Sequence, residues 1–187
     1  APMHTHRATI SKLGVDPIET EVRQVYFFDT PNLDLNKAGV VVRARRIQGG
    51  AGDTVVKLRP VDPAAIDREL RRSASFKTEI DVVPGGFVCS ASFKGRCTAQ
   101  EAKDAVGGKM PLDKLFSKEQ RAFYRAHAPK GVALGSLATF GPTFVLKVRL
   151  WVKSLDRRLV VEMWLFPDGS RNLEISAKAA PSEAFQV

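Results

Sequence analysis

Charged residues recur two apart along segments that read as β-strands, with apolar residues between them. Arg43 and Arg45 flank Ala44, Lys57 and Arg59 flank Leu58, Glu79 and Asp81 flank Ile80, and Lys147 and Arg149 flank Val148. Glu174, Ser176 and Lys178 continue the pattern near the end. In a strand, residues i and i+2 share a face. Each strand therefore carries one charged face and one largely apolar face. On an open sheet this describes a solvated exterior. On a sheet closed into a barrel and wrapped by helices it describes a charged interior, which requires a charged ligand.

The length of 187 residues suits one domain, 1–187, and 44% apolar residues suffice for a core. Lys and Arg number 29 against 20 acids, a net charge of +9. That excess favours acidic partners such as nucleotides, polyphosphate, nucleic acid or an anionic membrane surface. It is also compatible with charge that serves only solubility. Cys89 and Cys97 are too few for a disulfide-built domain and read as free thiols in a reducing compartment. The N-terminus has no apolar signal segment, and the longest uncharged stretch, Gly131 to Leu146, is interrupted by Gly135, Gly141 and Pro142. A cytoplasmic protein without a membrane partner is the expectation.

Thr5 to Leu13 suits a short helix stopped by Gly14, within an N-terminal helical segment 1–17. Strands are expected from Glu19 to Thr30, Val40 to Ile47, Thr54 to Arg59 and Phe76 to Val83, the last ended by Pro84. The Gly49–Asp53 run reads as a hairpin loop, and Ala64 to Arg72 as a helix. From Thr98 to about Ala128 the pattern turns helical, a helical insertion of 98–130. Ser117 and Gln120 have the spacing of a capping box, and Leu115, Phe116, Phe123 and Tyr124 form a core-packing stripe. Strands follow from Phe144 to Val152, Arg158 to Phe166 and Asn172 to Ala177, the last two joined as a hairpin. The fold class is α+β: an antiparallel β-barrel with helices packed outside.

If the charged faces point inward, Arg43, Arg45, Lys57, Arg59, Lys147, Arg149 and Lys178 converge on one cavity. Unpaired buried cations are costly and require anions. Glu79, Asp81, Glu162 and Glu174 supply some, and the remaining positive charge suits a triphosphate. Arginine matches phosphate oxygens in pairs, whereas lysine acts as a point charge. The carboxylates could also bridge Mg²⁺ or Mn²⁺ to substrate phosphates. Other chemistries fit poorly. Neither Gly49–Gly52 nor Gly107-Gly108-Lys109 makes a P-loop, and no nucleophile-elbow motif occurs. His4, His6 and His127 are scattered, and Trp151 and Trp164 are expected to pack the barrel's exterior.

The run from Tyr26 through Asp29-Thr30-Pro31-Asn32 to Leu35, followed by Ala38-Gly39 and Val40 to Arg46, resembles the second and third strands of the CYTH family. These are the triphosphate tunnel metalloenzymes, which include inorganic and thiamine triphosphatases and class IV adenylate cyclases. Val55 to Arg59, Val145 to Arg149 and Pro167 to Lys178 resemble further strands of the family in the same order. The resemblance spans roughly Glu21 to Lys178. It implies a tunnel-forming antiparallel barrel, with Arg43, Arg45, Lys57, Arg59, Lys147, Arg149 and Lys178 holding triphosphate oxygens. It implies Glu79, Glu162 and Glu174 on or near positions that hold Mg²⁺ or Mn²⁺. The implied partner is inorganic triphosphate, a nucleoside triphosphate or thiamine triphosphate.

The family opens with a strand bearing Glu-x-Glu-x-Lys, whose acids bind metal. Glu19-Thr20-Glu21-Val22-Arg23 is similar in composition but runs directly into Tyr26-Phe27-Phe28, so it reads as the start of the second strand. The chain as given is therefore expected to be cut or to lack that first strand naturally. A barrel edge would then be left for the N-terminal helix or for another subunit of a homodimer. Three functions stay open: a metal-dependent triphosphatase or adenylate cyclase, a non-catalytic polyphosphate or nucleotide binder, and, less favoured, a basic nucleic-acid-binding domain.

Overall fold

The structure is a computed structural model that describes residues 5–83 and 85–180. His4, the start of the segment 1–17 and the strand-ending Pro84 lie outside the described residues. Eight strands are present: β1 (Glu21–Asp29), β2 (Val40–Ile47), β3 (Gly52–Leu58), β4 (Phe76–Val83), β5 (Gly86–Cys97), β6 (Ala138–Val152), β7 (Arg157–Leu165) and β8 (Arg171–Ala177). The helices are α1 (His6–Lys12), α2 (Asp34–Lys37), α3 (Arg68–Arg71), α4 (Ala99–Val106) and α5 (Lys118–His127). The chain divides into two compact units, one comprising Val25–Gly141 and the other Ala1–Gln24 with Pro142–Val187.

In the unit Val25–Gly141 the strands lie in the order β4, β5, β3, β2, with β1 next to β2. The β4–β5, β5–β3 and β3–β2 pairs are antiparallel. One face of this sheet is apolar. Val40, Val42 and Ala44 of β2, Val56 and Leu58 of β3, and Ala91, Phe93 and Cys97 of β5 are buried in one cluster with Ala102 and Ala105 of α4 and Phe123 and Tyr124 of α5. Phe93 stacks at 5.0 Å from Phe123 and 5.3 Å from Phe76. Burying such rings supplies most of the drive to fold.

Both long helices begin with capping boxes. Ser117 and Gln120 cap α5, as their spacing predicts, and Thr98 and Glu101 cap α4. Leu115, Phe116, Phe123 and Tyr124 are all buried, so the stripe is core. Asp29, itself buried, accepts hydrogen bonds from the backbone amides of Thr30, Leu35 and Asn36 at 2.7, 2.9 and 3.0 Å. The Asp29-Thr30-Pro31 turn thus clamps the start of α2, a structural role.

In the other unit β6, β7 and β8 pair antiparallel in sequence order. Leu159, Val161 and Leu173 are buried on one face.

The structure departs from the sequence reading at several points. Gly86–Cys97, left unassigned, is the long strand β5, paired on both sides. Its Gly, Ser and Ala residues have weak strand propensity, and tertiary pairing overrides it. The expected strand from Glu19 begins at Glu21, because Asp16 caps a short 3₁₀ turn, Pro17–Glu19. Strand β6 begins at Ala138, earlier than Phe144, and passes through Gly141 and Pro142. The helix expected from Ala64 to Arg72 is a 3₁₀ turn at Pro63–Ala65 followed by the single turn of α3.

Candidate functional site: two cationic strand faces

The face of the first unit opposite its helices is charged. Cross-strand partners share a face, and the register aligns Arg45 with Asp53 and Asp53 with Arg96. Arg43 aligns with Val55 and Val55 with Lys94. Lys57 aligns with Ser92, and Ser92 with Lys77. Glu79 stands opposite Ser90, and Asp81 opposite Val88. Arg59 follows the last residue of β3 and reaches Asp81. Arg43, Arg45, Lys57 and Arg59 are therefore brought together with Glu79 and Asp81, as the i, i+2 spacing predicts.

Sequence reasoning missed Lys77, Lys94 and Arg96 on this face. The signal was present: Lys94 and Arg96 flank Gly95 with the same two-residue spacing, on the strand that was not recognised. Small buried residues lie among the long cations, with Ser90 1%, Ser92 2% and Val55 1% exposed.

The carboxylates on this face are engaged. Arg45 Nε lies 2.9 Å from Asp53 Oδ1 and 3.1 Å from Oδ2, and its Nη2 lies 2.5 Å from Oδ2, a forked charge-assisted contact. Asp81 is shared, 3.3 Å from Arg59 Nη1 and 3.9 Å from Lys57 Nζ. Burial pushes the Lys57 ammonium below its ordinary value. Asp81 and Glu79 pull it back up, while Arg59 and Arg43 push it further down.

The second unit carries its own charged face. Lys147 stands opposite Glu162, and Glu162 opposite Glu174. Arg149 stands opposite Val160 and is exposed. Glu174 is exposed on β8, and Lys178, also exposed, follows the end of that strand. Arg23, the last residue of the Glu19–Arg23 run, is buried and pairs with Glu21 on its own strand. Its Nη1 also lies 3.9 Å from Glu162 Oε1. Lys147 Nζ lies 2.7 Å from the same oxygen. Burial lowers the Lys147 pKa, and the Glu162 hydrogen bond opposes that.

Trp151 and Trp164 require correction. Trp164 stands opposite Val145 and Trp151 opposite Arg158, which puts both indoles on the Lys147–Glu162 face and not on the opposite, apolar one. Trp164 Nε1 is buried without a hydrogen-bond partner among the described residues. Cys97 offers no nucleophile, since burial, with Asp53 and Glu101, pushes its thiol up to about 11.

The donor set does not suit Mg²⁺ or Mn²⁺. These ions need several oxygen ligands in tight geometry. Glu162 already has a lysine at hydrogen-bond distance and an arginine beyond it. Asp53 is forked by Arg45, and Asp81 is shared by two cations. Among the described residues no group of three or more His, Cys, Asp or Glu side chains is placed to hold a metal. Nor is any helix among them long and apolar enough to cross a membrane.

No family model matches the sequence, and no curated protein matches it. Solved structures do. HpAC1 from Hippeastrum, described as an adenylyl cyclase candidate with a dominant triphosphatase activity, matches with a TM-score of 0.67 and 12% identity, over 100% of this chain and 79% of that one. A candidate adenylate cyclase from Bacillus halodurans matches with a TM-score of 0.65 and 15% identity, over 100% of this chain and 80% of that one. The fold is thus the antiparallel CYTH-type fold that the strand motifs resemble.

Proposed function

We propose that the chain binds a triphosphate, either inorganic triphosphate or the triphosphate group of a nucleotide or of thiamine. The observation that carries this reading is the grouping of Arg43, Lys57 and Lys94 on the sheet face opposite the helices. The register places Arg43 opposite Val55, Val55 opposite Lys94, and Lys57 two residues along the same strand as Val55. Lys57 has a side-chain exposure of only 20% and is disfavoured as a cation by burial. A bound polyanion relieves that penalty, because it offers the ammonium an opposite charge. Arg45 would add a planar fork suited to paired phosphate oxygens once the ligand displaces Asp53 from it. The CYTH-type fold supports the same substrate class, since HpAC1 has a dominant triphosphatase activity.

Titration calorimetry with tripolyphosphate tests the reading. The wild-type chain is expected to bind, and the double variant Arg43→Ala/Lys57→Ala to bind about 100-fold more weakly, as expected for two lost charge-assisted contacts. Absence of tripolyphosphate binding, together with a steeply salt-dependent affinity for duplex or single-stranded nucleic acid, would put a nucleic-acid module in its place. The likeness to HpAC1 favours a second reading, hydrolysis of the bound triphosphate. Release of inorganic phosphate from tripolyphosphate in the presence of Mg²⁺ or Mn²⁺ is its assay.

A further inference from the structure

Four carboxylates of the two charged faces, Glu21, Asp53, Asp81 and Glu162, stand in contact with the protein's own cations. Asp53 is forked by Arg45, Asp81 is shared by Arg59 and Lys57, Glu162 is held by Lys147 with Arg23 beside it, and Glu21 is paired with Arg23. Glu79 acts electrostatically on Lys57. Glu174 faces Glu162 across the β7–β8 pair and is exposed. A divalent ion entering at Glu162 would have to displace the Lys147 ammonium or sit against it. An ion at Asp81 or Asp53 would meet a guanidinium.

A second observation points the same way. The first unit's face carries Lys77, Lys94 and Arg96 in addition to Arg43, Arg45, Lys57 and Arg59, against Asp53, Glu79 and Asp81. Its cations can neutralise a triphosphate without an added metal. The role a divalent ion plays in bridging phosphates to carboxylates is open to arginine and lysine alone.

We propose that this chain takes its triphosphate as the metal-free polyanion, its carboxylates serving as internal counter-ions that the ligand displaces. The inference rests on the triphosphate reading above. It also assigns Asp81 a role opposite to metal ligation: the residue competes with the ligand for Lys57 and Arg59.

The test is calorimetric titration of tripolyphosphate into the intact chain, once with EDTA and once with Mg²⁺ in excess. Affinity in EDTA equal to or tighter than that in Mg²⁺ supports the proposal, since Mg²⁺ only screens the ligand. Binding at least tenfold tighter in Mg²⁺ overturns the proposal and leaves the triphosphate reading standing. Failure to bind in either buffer overturns the triphosphate reading itself, and the proposal with it. The variant Asp81→Asn, checked for folding by circular dichroism, supplies a second arm. Several-fold tighter binding in EDTA is expected, because Lys57 and Arg59 lose their internal partner. A loss of binding confined to the Mg²⁺ buffer would assign the carboxylate to a metal and overturn the proposal.

Discussion

Lys147 Nζ stands 2.7 Å from Glu162 Oε1, directly across the β6–β7 pair, with both side chains largely withdrawn from water. A half-buried ion pair of this kind contributes little relative to a well-packed apolar pair, but losing one partner strands the other. Lys147→Met is expected to cost about 2–3 kcal/mol in urea unfolding. The figure falls below that for a fully buried pair because Arg23 remains within 3.9 Å of Glu162. The double change Lys147→Met/Glu162→Leu is expected to recover most of that loss. A double variant as unstable as the sum of the single variants would contradict this account of the pair.

Lys94 aligns with Val55, which lies two residues from Lys57 on the charged face. Lys94→Ala is expected to weaken tripolyphosphate binding about tenfold, the loss of one charge-assisted contact, while leaving the melting temperature within a few degrees. Binding equal to wild type would remove Lys94 from the site.

The depressed Lys57 pKa makes binding depend on pH in a defined direction. Burial disfavours the ammonium in the free protein, so between its folded-state pKa and the ordinary value of 10.5 the unfolded chain holds more protons. Stability of the free protein therefore rises with pH through that window. A bound polyanion raises the pKa, so binding takes up a proton there and weakens as pH climbs. Calorimetry in buffers of differing ionisation enthalpy should report net proton uptake above neutral pH. Proton release would contradict the placement of Lys57 at the ligand.

Gln120 is fully buried and joins α5 to two strands. Its Oε1 accepts from Thr54 Oγ1 and from the Ser117 amide, both at 3.0 Å, and its Nε2 donates to the Phe93 carbonyl at 3.2 Å. Gly95 leaves it room, since a Cβ at that position would stand 2.5 Å from Gln120 Oε1 and 2.6 Å from Thr54 Oγ1. Gly95→Ala is expected to destabilise by about 1–3 kcal/mol through overpacking. Gln120→Leu is expected to cost about 2–4 kcal/mol, because Thr54 and the Phe93 carbonyl lose a buried partner. Denaturant melts of the two variants and of their combination check the coupling. Additive losses would mean that the residues do not share one packed junction.

Much of this protein was legible in the order of its residues. Alternation of charge and apolar bulk decides which side of a strand faces the helices, because the side-chain period of a strand is two. For that reason Arg43, Arg45, Lys57 and Glu79 were found on one face without coordinates. Ser117 and Gln120 announced a helix start because a capping box is local chemistry. Strand β5 was not legible. Its Ser, Ala and Gly residues are there for what lies above them, Gly95 under Gln120 above all, and that contact joins residues far apart in the chain.

The partnership of each acid was equally hidden. Sequence alone could count Glu79, Glu162 and Glu174 as possible metal ligands. Whether a carboxylate is available to an ion depends on which cation the strand register brings within hydrogen-bond distance. For Glu162 that cation is Lys147, from a different strand. Strand faces and helix caps follow from short-range periodicity and so belong to the sequence. Pairing of charges across strands follows from register and side-chain reach, and only the folded sheet decides it.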